Sequence, residues 1–406
     1  MAEHFGIVIV GNSAAGLQAL RVLRKHDRAR SILLIDREDR PAYSRVHTPY
    51  FIGGKTEREN LFIVDEAFYR ELGIATRFGR TATALDVERR LLTLDDGTGI
   101  SFGQLLLAVG GEARPLAVEA GRVSVLRHLA DADRLAQLFP VARAAAALGA
   151  GLVSLPLLSH APAETEKHLI VGSNRIFSRL LDAESAQLLE ERFVAAGLRL
   201  HKRDDIADLT AAGRLNLTLN SGTQLTVDLL IVGKGVKPNT ELAARAGLAT
   251  GDGIRVDDCC RAGHSHIYAA GDCAEGADFV TGEATVQGNW LTAVEQGEVA
   301  ALNMLGRDCR YEGSLKNNIS EIFGVELAVV GYCGDDAPAV RVFCDAASGR
   351  YRKLFLDERE RVLGAVLIGD SNDAGVYYHL VKSRAPLPEA SRLSGTNRYA
   401  GLVRGW

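Results

Sequence analysis

The feature that most constrains this chain is a glycine-rich turn near its amino terminus. Residues 7–10 form an apolar run that leads directly into the turn 11–16, and apolar residues recur at helical spacing after it. A second apolar run ends on Asp36, close to the distance of about 20 residues at which an acid binds ribose in such units. Although Ser13 replaces the second glycine of G-x-G-x-x-G, the flanking elements predict a dinucleotide-binding βαβ unit.

The same order of elements returns in the middle of the chain. Gly149, Gly151 and Ser154 form a second turn of this type, and a strand ending at Gly172 follows it. This copy predicts a second nucleotide site, but it is degraded. Ser154 replaces the third glycine, the alanine-rich residues 144–147 are poor strand formers, and no acid stands at Gly172. The alternative is an α/β turn that binds nothing.

Three further apolar strands end in glycine turns, at residues 110–111, 233–239 and 271. Asp272 directly follows the last of these, where a carboxylate can hydrogen-bond a polyol. The spacing of apolar residues in 290–303 predicts a helix. Its first amides, near Asn289 and Trp290, would point at a group bound above the sheet.

The pattern changes after residue 314. Strands of a meander are predicted at 327–332, 340–344, 351–356 and 362–368, followed by a helix at 374–382. Strands followed by a helix predict an α+β module. Residues 385–406 are expected to form a loop or tail, in which Tyr399 and Trp406 pack on the chain's own surface or dock elsewhere.

Composition argues against several classes of function. The 47 Lys and Arg residues against 51 Asp and Glu residues give a formal charge of −4, with no basic run, so nucleic-acid or membrane-surface binding has no support. No apolar run approaches the roughly 18 residues of a membrane-spanning helix, and the first residues lack a signal-peptide pattern. A cytoplasmic protein is therefore expected.

The six cysteines start at Cys259 and include no C-x-x-C pair and no zinc-type spacing. They are expected to be reduced, mostly buried side chains, and no metal is predicted. Adjacent Cys259 and Cys260 are expected to be ordinary core or strand residues, with a strained redox pair as the alternative.

Together these motifs resemble those of the FAD-dependent pyridine nucleotide-disulfide oxidoreductases, and in particular the branch of rubredoxin reductases and the flavin region of nitrite reductases. Besides the two turns, the resemblance rests on Tyr43-Ser44-Arg45 and on residues 48–55, 235–239, 270–272 and 293–297. It implies an α/β fold with two Rossmann-like dinucleotide-binding domains, for FAD and NAD(P), and a C-terminal α+β interface domain. The implied boundaries are 1–114 and 235–312 for the FAD-binding domain, 115–234 for the NAD(P)-binding domain, 313–390 for the interface domain and 391–406 for a tail.

The resemblance also assigns site residues, with the FAD pyrophosphate at the first turn, its adenosine ribose at Asp36 and its ribityl chain at Asp272. The residues implied for FAD are Gly11, Ser13, Ala14, Ala15, Gly16, Asp36, Arg37, Arg45, Lys55, Ala82, Val109, Gly110, Gly271, Asp272, Asn289 and Trp290. Those implied for the nicotinamide coenzyme are Gly149, Gly151, Ser154, Ser173, Arg175 and Gly235. A solvated surface lysine is the alternative for Lys55, and His47 is expected to be a loop histidine. No catalytic side chain is assigned.

Departures from the family pattern argue against one type of reaction and bear on the choice of coenzyme. Disulfide-reducing relatives need a cysteine near the flavin, and the absence of any cysteine before Cys259 argues against a thiolate relay. Pro156 stands where the family usually has a glutamate. The missing acid at Gly172 and the presence of Arg175 favour NADP, whereas the similar relatives use NAD, so both coenzymes stay open.

The expected chemistry is therefore that of the flavin itself, namely hydride transfer between NAD(P)(H) and FAD coupled to electron exchange with a separate iron–sulfur protein. The first turn and the Tyr-Ser-Arg segment also resemble flavoprotein subunits of multisubunit iron–sulfur oxidoreductases, the 2-oxoacid (phenylglyoxylate) dehydrogenases among them. That resemblance implies a complex subunit or a homodimer. The alternatives are an NAD(P)H oxidase that uses oxygen and a flavin-bearing structural subunit that has lost nicotinamide binding.

Overall fold

The computed structural model describes residues 2–116 and 121–387. The tail predicted at 391–406, with Tyr399 and Trp406, lies outside the described residues. The strands are β1 (Glu3–Val10), β2 (Ile32–Asp36), β3 (Ile74–Phe78), β4 (Ala82–Asp86), β5 (Leu91–Leu94), β6 (Gly99–Leu107), β7 (Gly111–Ala113), β8 (Val123–Ser124), β9 (Ala144–Leu148), β10 (Glu166–Val171), β11 (Leu198–Lys202), β12 (Ile206–Ala212), β13 (Arg214–Leu219), β14 (Gln224–Val227), β15 (Leu229–Val232), β16 (Val236–Pro238), β17 (Ile254–Arg255), β18 (Ile267–Ala269), β19 (Ala274–Ala277), β20 (Ala284–Thr285), β21 (Asn317–Ile322), β22 (Val325–Gly331), β23 (Ala339–Asp345), β24 (Arg350–Leu356) and β25 (Val362–Ile368).

The α-helices of the same part of the chain are α1 (Ala14–His26), α2 (Thr48–Ile52), α3 (Glu66–Glu71), α4 (Leu129–Leu138), α5 (Ser154–Ser159), α6 (Ala183–Ala195), α7 (Glu241–Arg245), α8 (Trp290–Met304) and α9 (Ala374–Ser383). Short 3-10 helices span Arg58–Leu61 and Phe139–Val141. No helix among the described residues has the length and apolar character needed to cross a membrane.

Contacts divide the chain into two compact units. The first comprises Met1–Val46, Glu57–Glu112 and Val236–Leu315. The second comprises His47–Thr56, Ala113–Gly235 and the described residues from Lys316 onward. This division does not separate the middle of the chain from its C-terminal part, and the domain boundaries inferred from the sequence stay a prediction.

The first unit is built on a sheet of order β3-β2-β1-β6-β5-β4, with β18 also paired to β6. Strands β1, β2, β6 and β18 run parallel, so their carboxyl ends lie at one edge of the sheet. Apolar side chains cover both faces of β1 and β2, and Ile7 and Leu33 are fully buried. Burial on both faces explains the continuous apolar runs in the sequence.

Helices α1 and α8 pack closely on one side of this sheet. A Cβ atom added to Gly297 in α8 would lie 2.4 Å from the Ala15 carbonyl oxygen in α1, far inside van der Waals contact. A glycine at this crossing therefore lets the two helix backbones approach each other, which fixes the position of the α1 N-terminus.

The second unit contains a parallel sheet of order β11-β10-β9-β15-β8. The prediction that residues 144–147 form a poor strand is wrong, because β9 is a regular strand of this sheet. Ala145, Ala146 and Ala147 are fully buried between β10 and β15, so burial and pairing outweigh the weak strand propensity of alanine. The antiparallel sheet β12-β13-β14 shares a core cluster with this sheet.

The C-terminal part of the second unit is a five-stranded antiparallel sheet of order β21-β22-β25-β24-β23, with α9 packed on β22 and β25. The four strands and the helix predicted here are present, but β21 was not predicted. Because β25 lies between β22 and β24, the sheet is not the predicted meander. Lys353 in β24 pairs with Asp182 at the start of α6, with Nζ 2.6 Å from Oδ2.

Candidate functional site

The first candidate site is the turn between β1 and α1. Gly11 has a φ of +115°, and a Cβ atom there would lie 2.1 Å from the Ala108 carbonyl oxygen. A Cβ atom on Gly16 would lie 1.9 Å from the Gly11 carbonyl oxygen. Glycine is therefore required at both positions, and the turn stays narrow enough for its backbone to approach a ligand.

The amino terminus of α1 follows this turn with its first amides uncapped by a side chain. Ser13 is the N-cap residue, and its side chain makes no capping hydrogen bond. Ala14 and Ala15 are small and buried, so they add no bulk in front of the helix end. The N–H groups of this first turn and the helix dipole suit a diphosphate.

Asp36 lies at the carboxyl end of β2, beside the turn. Its Oδ2 accepts a hydrogen bond from the Asn12 amide at 2.6 Å, and its Oδ1 accepts one from the Glu38 amide at 2.8 Å. Burial raises the pKa of Asp36, while these two backbone hydrogen bonds act in the opposite direction. The carboxylate is fixed at the turn, and its remaining lone pairs can accept from ribose hydroxyls.

Two residues that support this turn were given no role in the sequence analysis. Asn12 is buried, and its Oδ1 accepts a hydrogen bond from the Tyr69 hydroxyl at 3.0 Å. The same hydroxyl accepts from the Ala42 amide at 3.0 Å. Asn12 lies within the turn and could have been noticed for that reason, whereas no local pattern marks Tyr69 in α3.

Four loop segments of the site come together at the edge where β1, β2, β6 and β18 end. In the sheet register Val10 pairs with Ile35 and Leu107, and Leu107 pairs with Ala269. The segments that follow these strands are the first turn, Asp36–Arg37, Val109–Gly110 and Gly271–Asp272. The structure thus brings together most of the residues assigned to FAD by resemblance.

The end of β18 and the start of α8 lie close to each other. Gly271 has a φ of +82°, and its N–H donates to Gln296 Oε1 at 2.8 Å. A Cβ atom on Gly288 would lie 3.7 Å from Asp272 Oδ1, so Asp272 lies beside the segment that enters α8. Gln296 is buried and lies in the motif 293–297, but the sequence analysis gave its side chain no role.

Helix α8 is capped by Asn289, whose Oδ1 accepts a hydrogen bond from the Thr292 amide at 2.8 Å. Trp290 is the first residue of the helix and is partly buried against the core. Asn239 holds the loop after β6 by donating to the Val109 and Gly110 carbonyl oxygens at 2.8 and 2.9 Å. The loops around this edge are therefore fixed by hydrogen bonds.

The two arginines assigned to FAD make ion pairs within the first unit. Arg45 donates to Glu38 Oε1 at 2.9 Å and to the Tyr43 hydroxyl at 2.8 Å, and Arg37 pairs with Glu112. Ala82 is half-buried in β4 and packs on the same core cluster as Val109. These contacts hold the two arginine side chains within the first unit.

The second candidate site is the turn between β9 and α5. Gly149 has a φ of +101°, and a Cβ atom there would lie 2.3 Å from the Gly233 carbonyl oxygen. Ser154 is fully buried, and its hydroxyl donates to the Gly149 carbonyl oxygen. A Cβ atom on Gly233 would lie 2.7 Å from Ser154 Oγ. Ser154 is thus accommodated in place of the third glycine because residue 233 has no side chain.

Arg175 has a partner inside the second unit. Its Nη1 lies 2.8 Å from Asp335 Oδ2, and its carbonyl oxygen accepts from Ser173 Oγ at 2.6 Å. The guanidinium is therefore engaged by a carboxylate, which weakens the sequence argument that it pairs with a 2′-phosphate. Gly235 has a φ of +92°, and its carbonyl oxygen accepts from the Arg114 amide at 3.0 Å.

Lys55 does not belong to the first unit, although it was assigned to FAD. It lies in the segment His47–Thr56 and is exposed. In that segment the ring centroid of Tyr50 lies 4.9 Å from that of His160, the residue that follows α5. Burial, reinforced by the charge of Lys55, lowers the pKa of His160 to about 4.

All six cysteines lie within the described residues and are free thiols. Burial raises the pKa of Cys260 and of Cys333, and it raises the pKa of Cys273 to about 11. In the described residues, one candidate group of metal ligands is formed by Asp257, Asp258 and Cys259, and Asp258 pairs with Arg310. An acidic group with an arginine partner does not by itself indicate a metal.

Comparison with known proteins defines the class. Residues 5–297 match the pyridine nucleotide-disulphide oxidoreductase family, and residues 318–385 match the rubredoxin NAD+ reductase C-terminal domain. The chain therefore belongs to the pyridine nucleotide-disulphide oxidoreductases, a family of oxidoreductases that use FAD and NAD(P)H.

Individual relatives are similar along most of the chain. The epsilon subunit of NADH-dependent phenylglyoxylate dehydrogenase from Aromatoleum evansii is 30% identical over 396 residues, which cover 95% of this chain and 93% of that protein. The ferredoxin–NAD(+) reductase component of the anthranilate 1,2-dioxygenase system from Burkholderia cepacia is 30% identical, with 95% and 96% covered. Nitrite reductase [NAD(P)H] from Bacillus subtilis is 27% identical over 96% of this chain, which spans only 48% of that protein.

The fold has a counterpart among solved structures. The covalent putidaredoxin reductase–putidaredoxin complex matches with a TM-score of 0.88 at 23% identity, covering 95% of each chain. The predicted family and α/β fold class are confirmed, as are the oxidoreductase activity and the use of FAD and NAD(P)(H). The roles of individual site residues stay predictions.

Proposed function

We propose that this chain carries electrons between NAD(P)(H) and an iron–sulfur protein, as the NAD-linked flavoprotein subunit of a larger complex. The observation that carries this proposal is the end-to-end similarity to the epsilon subunit of an NADH-dependent phenylglyoxylate dehydrogenase. A relative described as a ferredoxin–NAD(+) reductase component supports the same type of partner. We place the protein in the cytoplasm, and we propose a multisubunit complex or a homodimer as its working state.

The first turn fits the pyrophosphate of FAD. Gly11 and Gly16 leave no room for a Cβ atom, so the turn is tight and brings the first amides of α1 close to the end of the sheet. The uncapped amides at the start of α1 would neutralise the phosphate charge. Asp36 would accept hydrogen bonds from the adenosine ribose, and Asp272 would accept them from the ribityl chain.

Bound FAD supplies hydride transfer and single-electron transfer, and this chain's residues position it. The amino terminus of α8, capped by Asn289, would stabilise negative charge on the nearby pyrimidine side of the ring system. We further propose that no thiol takes part. The first cysteine in the sequence is Cys259, and burial raises the pKa of Cys259, Cys260 and Cys273, which disfavours their thiolates.

The second turn would hold the nicotinamide coenzyme. Gly149 keeps the tight turn after β9, and the packing of Ser154 against Gly233 preserves that turn without a third glycine. The Arg175–Asp335 pair leaves the choice between NAD and NADP open, because neither a ribose-binding acid nor an unengaged arginine stands at Gly172.

Anaerobic titration of the purified protein, first with NADH and then with NADPH, tests the proposal. The expected result is bound FAD whose visible absorbance is bleached by one of the two coenzymes. A purified protein that contains no flavin would contradict the FAD assignment. A flavin that neither coenzyme reduces would favour the structural subunit that has lost nicotinamide binding.

The acceptor is tested separately by mixing the reduced protein with a ferredoxin or with oxygen. Faster reoxidation by the ferredoxin is expected if an iron–sulfur protein is the partner. Turnover with oxygen as the sole acceptor, at a rate that matches the ferredoxin, would instead favour an NAD(P)H oxidase.

A further inference from the structure

An arginine directly after β11 is held in an unusual backbone conformation beside the loop that follows β10. Arg203 has a φ of +56°, in the left-handed region that residues other than glycine rarely adopt. Its N–H donates to the Ser173 carbonyl oxygen at 3.0 Å, and the N–H of Asp204 donates to the Val171 carbonyl oxygen at 3.1 Å. These hydrogen bonds hold Arg203 directly beside the residue that follows Gly172.

Gly172 and Ser173 stand where a dinucleotide-binding βαβ unit contacts the adenosine ribose. In such a unit an acid at the carboxyl end of the second strand binds the ribose 2′-hydroxyl, whereas a nearby arginine accommodates the 2′-phosphate of NADP. The second strand here is β10, which ends at Val171. Outside its chain neighbours, a Cβ atom on Gly172 would have the Asp204 carbonyl oxygen as its closest atom, at 4.0 Å. The position of the missing acid is therefore open.

The guanidinium of Arg203 is available at this position. Arg203 is exposed, and its side chain makes no hydrogen bond or ion pair with any described residue. The adjacent Asp204 is not its partner, because that carboxylate is buried and accepts from the Asp205 and Ser221 amides at 3.1 and 3.2 Å. Three other basic side chains near the ends of β10, β11 and β15 have acidic partners, in the pairs Arg175–Asp335, Lys202–Glu190 and Lys234–Asp205.

We propose that Arg203 binds the 2′-phosphate of NADP(H) and makes NADP(H) the preferred coenzyme of this chain. The inference rests on the proposed function, because it requires that the second turn binds a dinucleotide. A guanidinium can donate two parallel hydrogen bonds to a phosphate, and no carboxylate at Gly172 repels that phosphate. Arg203 thus takes, from the neighbouring strand, the role that the sequence suggested for Arg175.

The same arginine contributes less to the binding of NADH. A hydrogen bond in which a partner is ionised is roughly twice as strong as one between neutral groups, and NADH offers only a hydroxyl group at the 2′ position. Loss of the Arg203 guanidinium should therefore weaken NADPH binding and leave NADH binding nearly unchanged. The expected preference sets this chain apart from relatives whose names specify NADH or NAD(+).

The test is calorimetric titration of the FAD-loaded protein with NADPH and NADH, and with the fragments adenosine 2′,5′-bisphosphate and 5′-AMP. We expect wild type to prefer the 2′-phosphorylated member of each pair, and Arg203→Gln to lose about tenfold in affinity for that member alone. Arg203→Lys, which keeps the charge without the planar fork, should retain part of the affinity. Arg199→Gln removes the same charge near the other end of β11 and is the matched control, with wild-type binding.

Arg203→Gly separates binding from folding. Glycine adopts a φ of +56° without strain, so this variant should melt no lower than wild type while it loses the preference for NADPH. A wild type that binds NADH as tightly as NADPH or more tightly, or an Arg203→Gln variant with wild-type affinity for NADPH, would overturn this inference alone. A wild type that binds neither coenzyme would overturn the proposed function and this inference with it.

Discussion

At the scale of residues, two glycines and one carboxylate define the candidate FAD site. Gly11 and Gly16 are needed because a Cβ atom at either would overlap a carbonyl oxygen. Asp36 is held by the Asn12 and Glu38 amides, so its direction is set before any ligand arrives. Such preorganisation reduces the entropy that binding costs.

Replacing Asp36 by alanine should weaken FAD binding. A hydrogen bond to a charged group contributes about 1.5–3 kcal/mol, so we expect the affinity to fall by roughly 10-fold to 100-fold. The measurement is the ratio of bound flavin to protein after dilution and ultrafiltration, with the melting temperature recorded alongside. Asp252→Ala, at an exposed position, is the control and should retain flavin. Full flavin retention in Asp36→Ala would rule out its proposed role.

The sequence predicted the residues of this site that are contiguous in a motif or directly follow a strand. The first turn, Asp36 and Asp272 were found in this way. Asn12 and Gln296 stand inside recognised motifs, the first turn and residues 293–297, but were given no role, because their hydrogen bonds reach distant parts of the chain. Tyr69 was not found, since a partner far away in sequence leaves no local pattern.

At the scale of secondary-structure elements, tertiary packing outweighs the intrinsic strand or helix propensity of the residues. Strand β9 is rich in alanine, which has a low strand propensity, yet it lies between β10 and β15 with its alanines buried. The close crossing of α1 and α8 shows the same dependence on small residues. There the absence of a side chain at Gly297 sets the distance between the helices.

Gly297→Ala should destabilise the protein, because the new Cβ atom would lie 2.4 Å from the Ala15 carbonyl oxygen. Overpacking of this kind costs about 1–3 kcal/mol. Gly375→Ala in α9 is the matched control, since a Cβ atom there meets no other atom within 4 Å. It should raise stability by about 0.5–1 kcal/mol, because alanine is the better helix former. Urea unfolding of both variants measures these changes. Equal changes in the free energy of unfolding would contradict the close contact of α1 and α8 at Gly297.

At the scale of the whole molecule, the order along the chain does not reproduce the grouping in space. The segment His47–Thr56 interrupts the first unit in sequence but packs with the second. The C-terminal sheet likewise packs with the middle of the chain, through the Lys353–Asp182 pair. Motif order alone predicted neither grouping, because both depend on contacts between residues far apart in sequence.

Lys353→Met should cost about 3–5 kcal/mol of unfolding free energy, because Asp182 would keep a buried charge without its partner. Lys237→Met is the control, since its ion pair with Glu241 is exposed and should contribute less than about 1 kcal/mol. Adding Asp182→Asn to Lys353→Met should restore part of the loss. If Lys353→Met were as stable as the control variant, the Lys353–Asp182 pair would not stabilise the packing of the C-terminal sheet on α6.

The contact between Ser154 and Gly233 has a consequence for how this protein can vary in evolution. One site can carry a side chain only while the other does not, because a Cβ atom on Gly233 would lie 2.7 Å from Ser154 Oγ. The two positions should therefore change together: orthologues with glycine at position 154 are free to carry alanine at 233, whereas those with serine are not. Paired changes at positions 154 and 233 would let the sequence of the second turn depart from G-x-G-x-x-G while its backbone conformation is kept.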